Sequence, residues 1–389
     1  MKPKLLLVAD TYYPKVDGTL KFMEEFRQRA GKDFMLSFLV PDFGMHTGRN
    51  ITYLEPSKFI SLSGYPSLKW SWQNWKKIRT AICNTDLVFI QGPALISYLS
   101  MYYGHKYHKR TIFYLHVLSW ELVAKFVPRF STGLINTLIR KISVILYNRC
   151  DLILVPYHDL KEDLEKEGVT APLSTAQLGV DLTIFTPSPD KKKSKQKMGI
   201  DENWLVIGYV GRISREKNTA LLLRAFRRLK RPEKLFLLMV GDGPENQTKE
   251  FRKISHGKVT GFVSNVQDYL QAMDIFIMPS LTETTSLATL EAMATGLPVI
   301  VTPVGFMKRY VVNNQNGIFC SRNSPATLAA KIEQLLENPA LRTRLGAQAR
   351  KTVAHSFSWE RSINRIKRLI LRTSHSSRPQ KPSKNNVFV

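Results

Sequence analysis

The stretch from Asp274 to Thr302, D-I-F-I-M-P-S-L-T-E-T-T-S-L-A-T-L-E-A-M-A-T-G-L-P-V-I-V-T, leaves little freedom in how this chain can fold. Asp274 to Pro279 is short, apolar and ended by proline, the pattern of a buried strand. Ser280 to Ser286 is a polar loop. Leu287 to Ala294 is built from strong helix formers and closed by Thr295-Gly296, with Pro298 just beyond. Val299 to Val301 reads as the next buried strand. Such a strand–loop–helix–strand unit belongs to an open parallel sheet, where ligands bind outside the carboxyl ends of the strands. Glu283 falls in that loop, and Glu291 follows with seven residues between. One carboxylate would reach the sugar end of an extended ligand and the other its ribose end. Backbone amides opening the helix would hold a diphosphate between them. On spacing alone, a structural helix with two solvated acids is the simpler reading.

The flanking residues reverse that balance. P-S before the loop, E-A-M-A-T-G in the helix and P-V-I-V-T-P-V-G after it resemble the E-x7-E motif of the retaining GT-B glycosyltransferases of family four (glycosyl transferases group 1). The usual wording there is close to E-G-F-G-L-x-x-L-E-A-M-A-x-G-x-P-V-V. Thr284, Thr285 and Ser286 stand where that wording has Gly-aromatic-Gly, so the close backbone approach that glycine permits is partly lost. This leaves the identity of the donor sugar open. Further segments extend the resemblance from Lys4 to about Leu371. They are the loop P-K-V-D-G with Asp17 and Gly18, the strand T-I-F-Y-L-H-V with His116, and L-G-V-D-L-T-I-F-T-P up to Pro187. In the second half come G-R-I-S-R-E-K-N with Arg212 and Lys217, V-G-D-G-P-E, and T-G-F-V ending at Val263.

The resemblance implies an α/β, GT-B fold: two doubly wound parallel-sheet Rossmann-like domains facing a cleft, with a C-terminal helix crossing back to the first. The expected boundaries are 1–187 for an N-terminal, acceptor-side domain and 188–203 for a lysine-rich linker. Then follow 204–355 for the nucleotide-sugar-binding domain, 356–373 for the cross-over helix and 374–389 for a disordered basic tail. It implies transfer of a sugar from a UDP- or GDP-linked donor to a hydroxyl, with the anomeric configuration kept. In that scheme Arg212 and Lys217 stabilise the departing diphosphate, a task that suits a guanidinium fork and a mobile ammonium. Glu291 holds the ribose, Glu283 the sugar hydroxyls, His116 the reacting sugar and the backbone near Val263 the nucleobase. Gly18, Thr284, Thr285, Ser286 and Leu287 border the donor. Asp17, Trp120 and Glu121 lie on the acceptor side, where Glu121 either reaches the acceptor or opens the next helix. No Asp-x-Asp motif is visible, so no metal or other cofactor is required by this reading.

Bulk properties bear on the partner. A chain of 389 residues is too long for one compact core, and 43% apolar content fits a soluble globular protein. The three cysteines, Cys83, Cys150 and Cys320, lack metal-ligand spacing and fit reduced thiols in a cytoplasmic protein. No apolar run approaches the roughly 18 residues of a membrane span. With 57 Lys+Arg against 31 Asp+Glu, the net charge of +26 calls for an anionic partner. Between Lys58 and Arg149 only Asp86 and Glu121 are acidic. There Trp70, Trp72 and Trp75 stand beside Lys76 and Lys77, which suits an anionic membrane surface as well as it suits tryptophans packed inward as core. The expectation is therefore a peripheral enzyme on the inner face of the membrane, acting on a lipid or lipid-linked acceptor. Polysaccharide or glycoprotein-glycan synthesis is the alternative. A basic nucleic-acid-binding protein would suit the charge, but no such recognition motif is present.

Overall fold

The computed structural model describes residues 2–14, 17–62, 65–116, 118, 132–230 and 232–376. The chain divides into two compact units, Met1–Gln177 with Ile363–Val389, and Leu178–Ser362.

The first unit carries β1 (Lys4–Val8), β2 (Met35–Pro41), β3 (Ile51–Leu54), β4 (Pro56–Leu62), β5 (Tyr65–Leu68), β6 (Leu87–Gly92), β7 (Arg110–Leu115), β8 (Leu152–Val155) and β9 (Leu173–Thr175). Seven of these form a parallel sheet in the order β3-β2-β1-β6-β7-β8-β9, while β4 and β5 make a separate antiparallel pair. The apolar runs L-L-L-V of β1 and L-I-L-V of β8 are buried throughout, as expected where helices cover both faces of a parallel sheet. Helix Gly18–Ala30 turns Phe22, Met23 and Phe26 inward, and helix Trp72–Cys83 buries Ile78 and Ile82. Order reverses between β1 and β6, which pair with Val8 opposite Ile90.

The second unit repeats the plan with β10 (Leu205–Val210), β11 (Leu235–Val240), β12 (Gly257–Val259), β13 (Ile275–Met278), β14 (Val299–Val301) and β15 (Ile318–Phe319). Its sheet is parallel in the order β12-β11-β10-β13-β14-β15, and the reversal falls between β10 and β13. Helix Leu287–Ala294 lies where the sequence placed it, between β13 and β14. In both sheets the reversal marks the crevice at which open α/β sheets bind ligands.

Two boundaries differ from those expected. The G-V-D segment groups with the second unit because Val180 and Ser358 form a bridge: the Val180 amide donates to Phe357 O at 2.7 Å. Gly179 permits that approach, since a side chain there would sit 2.5 Å from the Trp359 nitrogen. Nor is 188–203 a free linker. Lys191–Lys197 is a helix capped by Asp190, and Lys195, 4% exposed, pairs with Asp274 at 2.8 Å. Lys191 donates to the carbonyls of Gln271 and Met273, and burial pulls its ammonium down to about 8. The final helix spans Trp359–His375, two residues beyond the expected end. Its first four residues group with the second unit, and those from Ile363 onward with the first. The expected disordered tail lies outside the described residues from 377 onward.

Candidate active site

The second unit gathers most of the expected site residues at its sheet reversal. Gly211 follows β10 with φ +140°, a conformation L side chains rarely adopt, and a side chain there would meet the Tyr209 hydroxyl at 3.0 Å. The turn it makes is held by that hydroxyl, which donates to Arg212 O at 2.7 Å. Arg212 keeps 44% of its side chain open to solvent, 4.0 Å from Glu216. Lys217 sits at the start of helix Thr219–Phe226. Its Nζ donates to Glu283 Oε1 at 2.6 Å, and Ser280 Oγ donates to the same oxygen at 2.9 Å. Asn218, in the left-handed conformation at φ +51°, donates to Pro279 O at 3.1 Å and Arg322 O at 2.9 Å. Leu281 N also donates to Glu216 O at 2.9 Å, so the loops after β10 and β13 are tied through Lys217–Glu283, Asn218–Pro279 and Leu281–Glu216. The two acids are not solvated: the Glu283 side chain is 9% exposed and Glu291 is 5% exposed.

The loop between β13 and helix Leu287–Ala294 is held from behind by the segment after β14. Phe306 N donates to Thr284 O and Tyr310 Oη to Thr285 O, both at 2.8 Å. Gly305 lies so close that a side chain would come within 1.7 Å of Glu283 O. Ser286, at the helix N-cap, has φ +59°, and its hydroxyl bonds that of Thr289 at 2.9 Å. Thr285 Oγ1 is buried with no partner among the described residues. Burial, and after it the charge of Glu283, pushes the Tyr209 and Tyr310 phenols well above their ordinary range, so both remain donors. Val263 follows β12, beside the exposed Phe262.

In the first unit, His116 follows β7. Its Nε2 lies 2.8 Å from Gln91 Oε1, and its ring packs 4.6 Å from Tyr114 and 5.8 Å from Phe22, centroid to centroid. Desolvation pulls the imidazole down to about 3, although part of the residue remains open to solvent. Asp17 caps helix Gly18–Ala30 by accepting from Leu20 N at 2.9 Å, and Gly18 is that helix's first residue. Asp10, just past β1, is raised to about 7 by burial and then by the charge of Asp17. Trp120 and Glu121 lie outside the described residues.

Trp70 and Trp72 are 67% and 73% exposed, so they are not core residues. Trp75 is half-buried, its ring 4.8 Å from that of Trp70. Lys76 and Lys77 are exposed beside them, Lys77 donating to Tyr53 O at 2.8 Å. Leu138, Ile142 and Ile145 of helix Thr132–Tyr147 are also exposed, at successive-turn spacing.

Two family models tile the chain. Residues 36–184 match that of Glycosyltransferase Family 4, and residues 190–352 that of Glycosyl transferases group 1. This chain belongs to the group 1 glycosyl transferases. It is 30% identical over 213 residues to the D-inositol 3-phosphate glycosyltransferase of Paenarthrobacter aurescens, covering 51% of this chain and 50% of that protein. It is also 30% identical over 257 residues to the sulfoquinovosyl transferase SQD2 of Arabidopsis thaliana, covering 63% of this chain and 49% of that one. The chain therefore spans about half the length of the curated relatives it matches. Anabaena Alr3699/HepE, solved in complex with UDP, superposes with a TM-score of 0.76 over 95% of this chain and all of that one, at 18% identity. That likeness establishes the fold as GT-B.

Several residues that shape the site in this group 1 member carried no sequence signal of their own. Among them, Tyr310 acts on the Glu283 loop and Gln91 meets His116 across two adjacent strands, whereas Ser280 and Gly305, which also act on that loop, lie inside the flanking motifs. Asp10 had one: an acid directly after a buried strand, at the carboxyl edge where ligands bind.

Proposed function

We propose that this protein transfers a sugar from a UDP- or GDP-linked donor to a hydroxyl acceptor with retention of the anomeric configuration. The observation that carries the reading is the Lys217–Glu283 pair beside Arg212, at the carboxyl edge of the second sheet and the start of helix Leu287–Ala294. Lys217 and Arg212 meet the departing diphosphate, Glu283 the sugar hydroxyls, Glu291 the ribose and the backbone at Val263 the base. His116 steadies the reacting sugar. The leaving phosphate helps to take the acceptor's proton, so the chemistry asks no side-chain nucleophile and no metal of the protein.

The acceptor is a membrane lipid or lipid-linked hydroxyl, and the protein works peripherally on the inner face of the membrane. Supporting this are exposed Trp70 and Trp72 beside Lys76 and Lys77, the exposed Leu138, Ile142 and Ile145, and the net charge of +26. Among the described residues no helix is long and apolar enough to cross a membrane. The relatives' names do not add to this, one naming D-inositol 3-phosphate, a soluble polyol phosphate, and the other the sulfoquinovosyl group that is transferred. The test is a thermal-shift and hydrolysis screen of nucleotide sugars, followed by transfer to extracted membrane lipid and proton NMR of the product's anomeric centre. An inverted product refutes retention. Transfer only to a soluble glycan refutes the lipid acceptor.

A further inference from the structure

The sheet of the first unit is not covered evenly. Helix Trp72–Cys83 packs Ile78 and Ile82 inward, and the carboxyl half of β2 is buried. The amino half is not: β2 opens with Met35, 55% exposed, and continues through half-buried Leu36 and Ser37. The edge strand β3 has four residues, of which Leu54 alone is fully buried. A groove of about 730 Å³ is left between the amino ends of these strands and β1 on one side and the flank of the helix on the other. Ligand sites typically measure about 300–1,000 Å³. The crevice at the sheet reversal lies at the other end of the strands, about 15 Å away along β1.

The lining sets the chemistry. Lys4, Lys76 and Lys77 contribute to it, and no carboxylate does. Lys77 donates one hydrogen to Tyr53 O at 2.8 Å, which clips the helix to β3, and an ammonium has two more to give. Lys76 is exposed and has no hydrogen-bond or ion-pair partner among the described residues. The carboxylates that feel the Lys77 charge are engaged elsewhere: Asp42 bonds His46 at 3.0 Å and Glu55 bonds Lys69 at 2.7 Å. Asp86 accepts from the backbone nitrogen of Lys4 at 2.8 Å. The remaining polar lining is uncharged, with Ser37, Thr52, Thr80 and Asn84 in it, while Leu6 and Met35 add carbon surface. Cations set among hydroxyls and amides suit a phosphate ester of a polyol. Its phosphate oxygens accept from the ammoniums, and its hydroxyls find neutral partners.

We propose that this groove is a second phosphate site, taking the phosphate ester of a small polyol, either free or as the head of a phospholipid. It is separate from the diphosphate site proposed beside Arg212 and Lys217, which belong to the second unit. An anionic surface would attract Lys76 and Lys77 wherever they point. A groove asks for more: binding that saturates and that depends on shape as well as charge.

Calorimetric titration of the full chain with glycerol 3-phosphate should show one saturable site that weakens as salt rises. Lys76→Gln should weaken it about 5-fold or more, the Lys76→Gln/Lys77→Gln pair about 20-fold, and Arg212→Ala less than about twofold. Both lysines are exposed, so these variants should melt within about 1 °C of the wild type. Thr80→Trp fills the groove from an exposed helix position without changing the charge, and should abolish binding. Undiminished binding in a folded Thr80→Trp protein, or binding lost with Arg212→Ala and kept with Lys76→Gln, overturns the proposal. Co-sedimentation separates the two sources. Release from phosphatidylglycerol vesicles by excess glycerol 3-phosphate identifies a lipid head. Vesicle binding that stands unchanged beside a saturable calorimetric site identifies a soluble phosphorylated polyol. The absence of saturable binding in both arms overturns the proposal as well. None of these readouts uses a nucleotide sugar, so they judge the groove separately from the sugar-transfer reading.

Discussion

If Lys217 receives the diphosphate as proposed, Lys217 and Glu283 cannot both stay as they are, and this makes the pair the most informative place to perturb. Their side chains are 18% and 9% exposed and their charged atoms 2.6 Å apart. At about 4 Å between charge centres and an effective dielectric of about 20, the attraction is about 4 kcal/mol before desolvation is subtracted. Lys217→Met leaves Glu283 charged and enclosed beside Tyr209 and Tyr310. That situation costs about 3 kcal/mol, or a melting point lower by roughly 5–10 °C. Glu283→Gln is milder, because Lys217 is the more open partner and the amide still accepts from Ser280. Its cost should be about 1 kcal/mol. The two variants should part company on ligand. Glu283 competes with the diphosphate for Lys217, so Glu283→Gln should bind free nucleoside diphosphate about 5- to 20-fold more tightly, a gain of about 1–2 kcal/mol. The intact nucleotide sugar should lose that gain, since its sugar then lacks the carboxylate. Lys217→Met should lose both ligands. Titration calorimetry with UDP, GDP and the matching nucleotide sugars decides this. A folded Glu283→Gln protein that binds the diphosphate as weakly as Lys217→Met would refute the reasoning.

Four other expectations follow from the same geometry. Arg212→Ala should fold normally, since the side chain is half open to solvent, and turn over about 100-fold or more slowly in a sugar-transfer assay; near-normal turnover would remove Arg212 from the phosphate site. Asp10 is raised to about 7 in the folded protein, so ionising it opposes folding as pH climbs from about 4 to 7. Asp10→Asn should therefore raise the melting point by several degrees at pH 8 and leave it nearly unchanged at pH 4, as scanning calorimetry at both pH values would show. Trp72→Ala should leave the melting point within about 1 °C because its indole is 73% exposed, yet release the protein from anionic vesicles several-fold in co-sedimentation, with residual binding that falls with salt. Ser286→Gly exchanges about 1 kcal/mol of left-handed strain for a lost hydroxyl contact of similar size, so stability should hardly change while the nucleotide-sugar screen returns a broader set of accepted donors.

Parallel β–α–β units are legible in sequence because each strand is a short apolar run and each helix has its own stop signals. That is why Leu287–Ala294 and Val299–Val301 fall where the residues put them. Composition misled at 188–203. A lysine-rich, proline-bearing stretch looks like a solvated linker, and only the fold brings Lys195 to Asp274 and Lys191 to the carbonyls of Gln271 and Met273. The same holds for the site. Arg212, Lys217, Glu283, Ser280 and Gly305 sit inside local motifs, whereas Tyr310 and Gln91 act by contacts that depend on strand order, and strand order is not written in any local window. Trp72 was ambiguous for a further reason: the periodicity of one short helix names its faces without saying which of them the sheet will cover.

The three residues that break the family wording, Thr284 to Ser286, are also where the site is least comfortable. Ser286 takes a conformation suited to glycine, at about 1–2 kcal/mol. Thr285 buries a hydroxyl with no partner among the described residues, a burden of about 1–3 kcal/mol. The Ser286 hydroxyl recovers part of its cost through Thr289, whereas the Thr285 hydroxyl recovers none among the described residues. They are tolerated because Tyr310 and Phe306 hold the loop's carbonyls from behind, with Gly305 leaving room for the approach, so that the loop cannot relax without giving up those bonds. Strain kept in place by its surroundings and borne at the start of the helix proposed to face the diphosphate points to ligand contact before fold maintenance. A hydroxyl-lined loop also leaves less room beside Glu283 than two glycines would. The selection of the donor sugar should therefore be sought in these three side chains, while Arg212 and Lys217, whose task is charge, should treat all nucleoside diphosphates much alike.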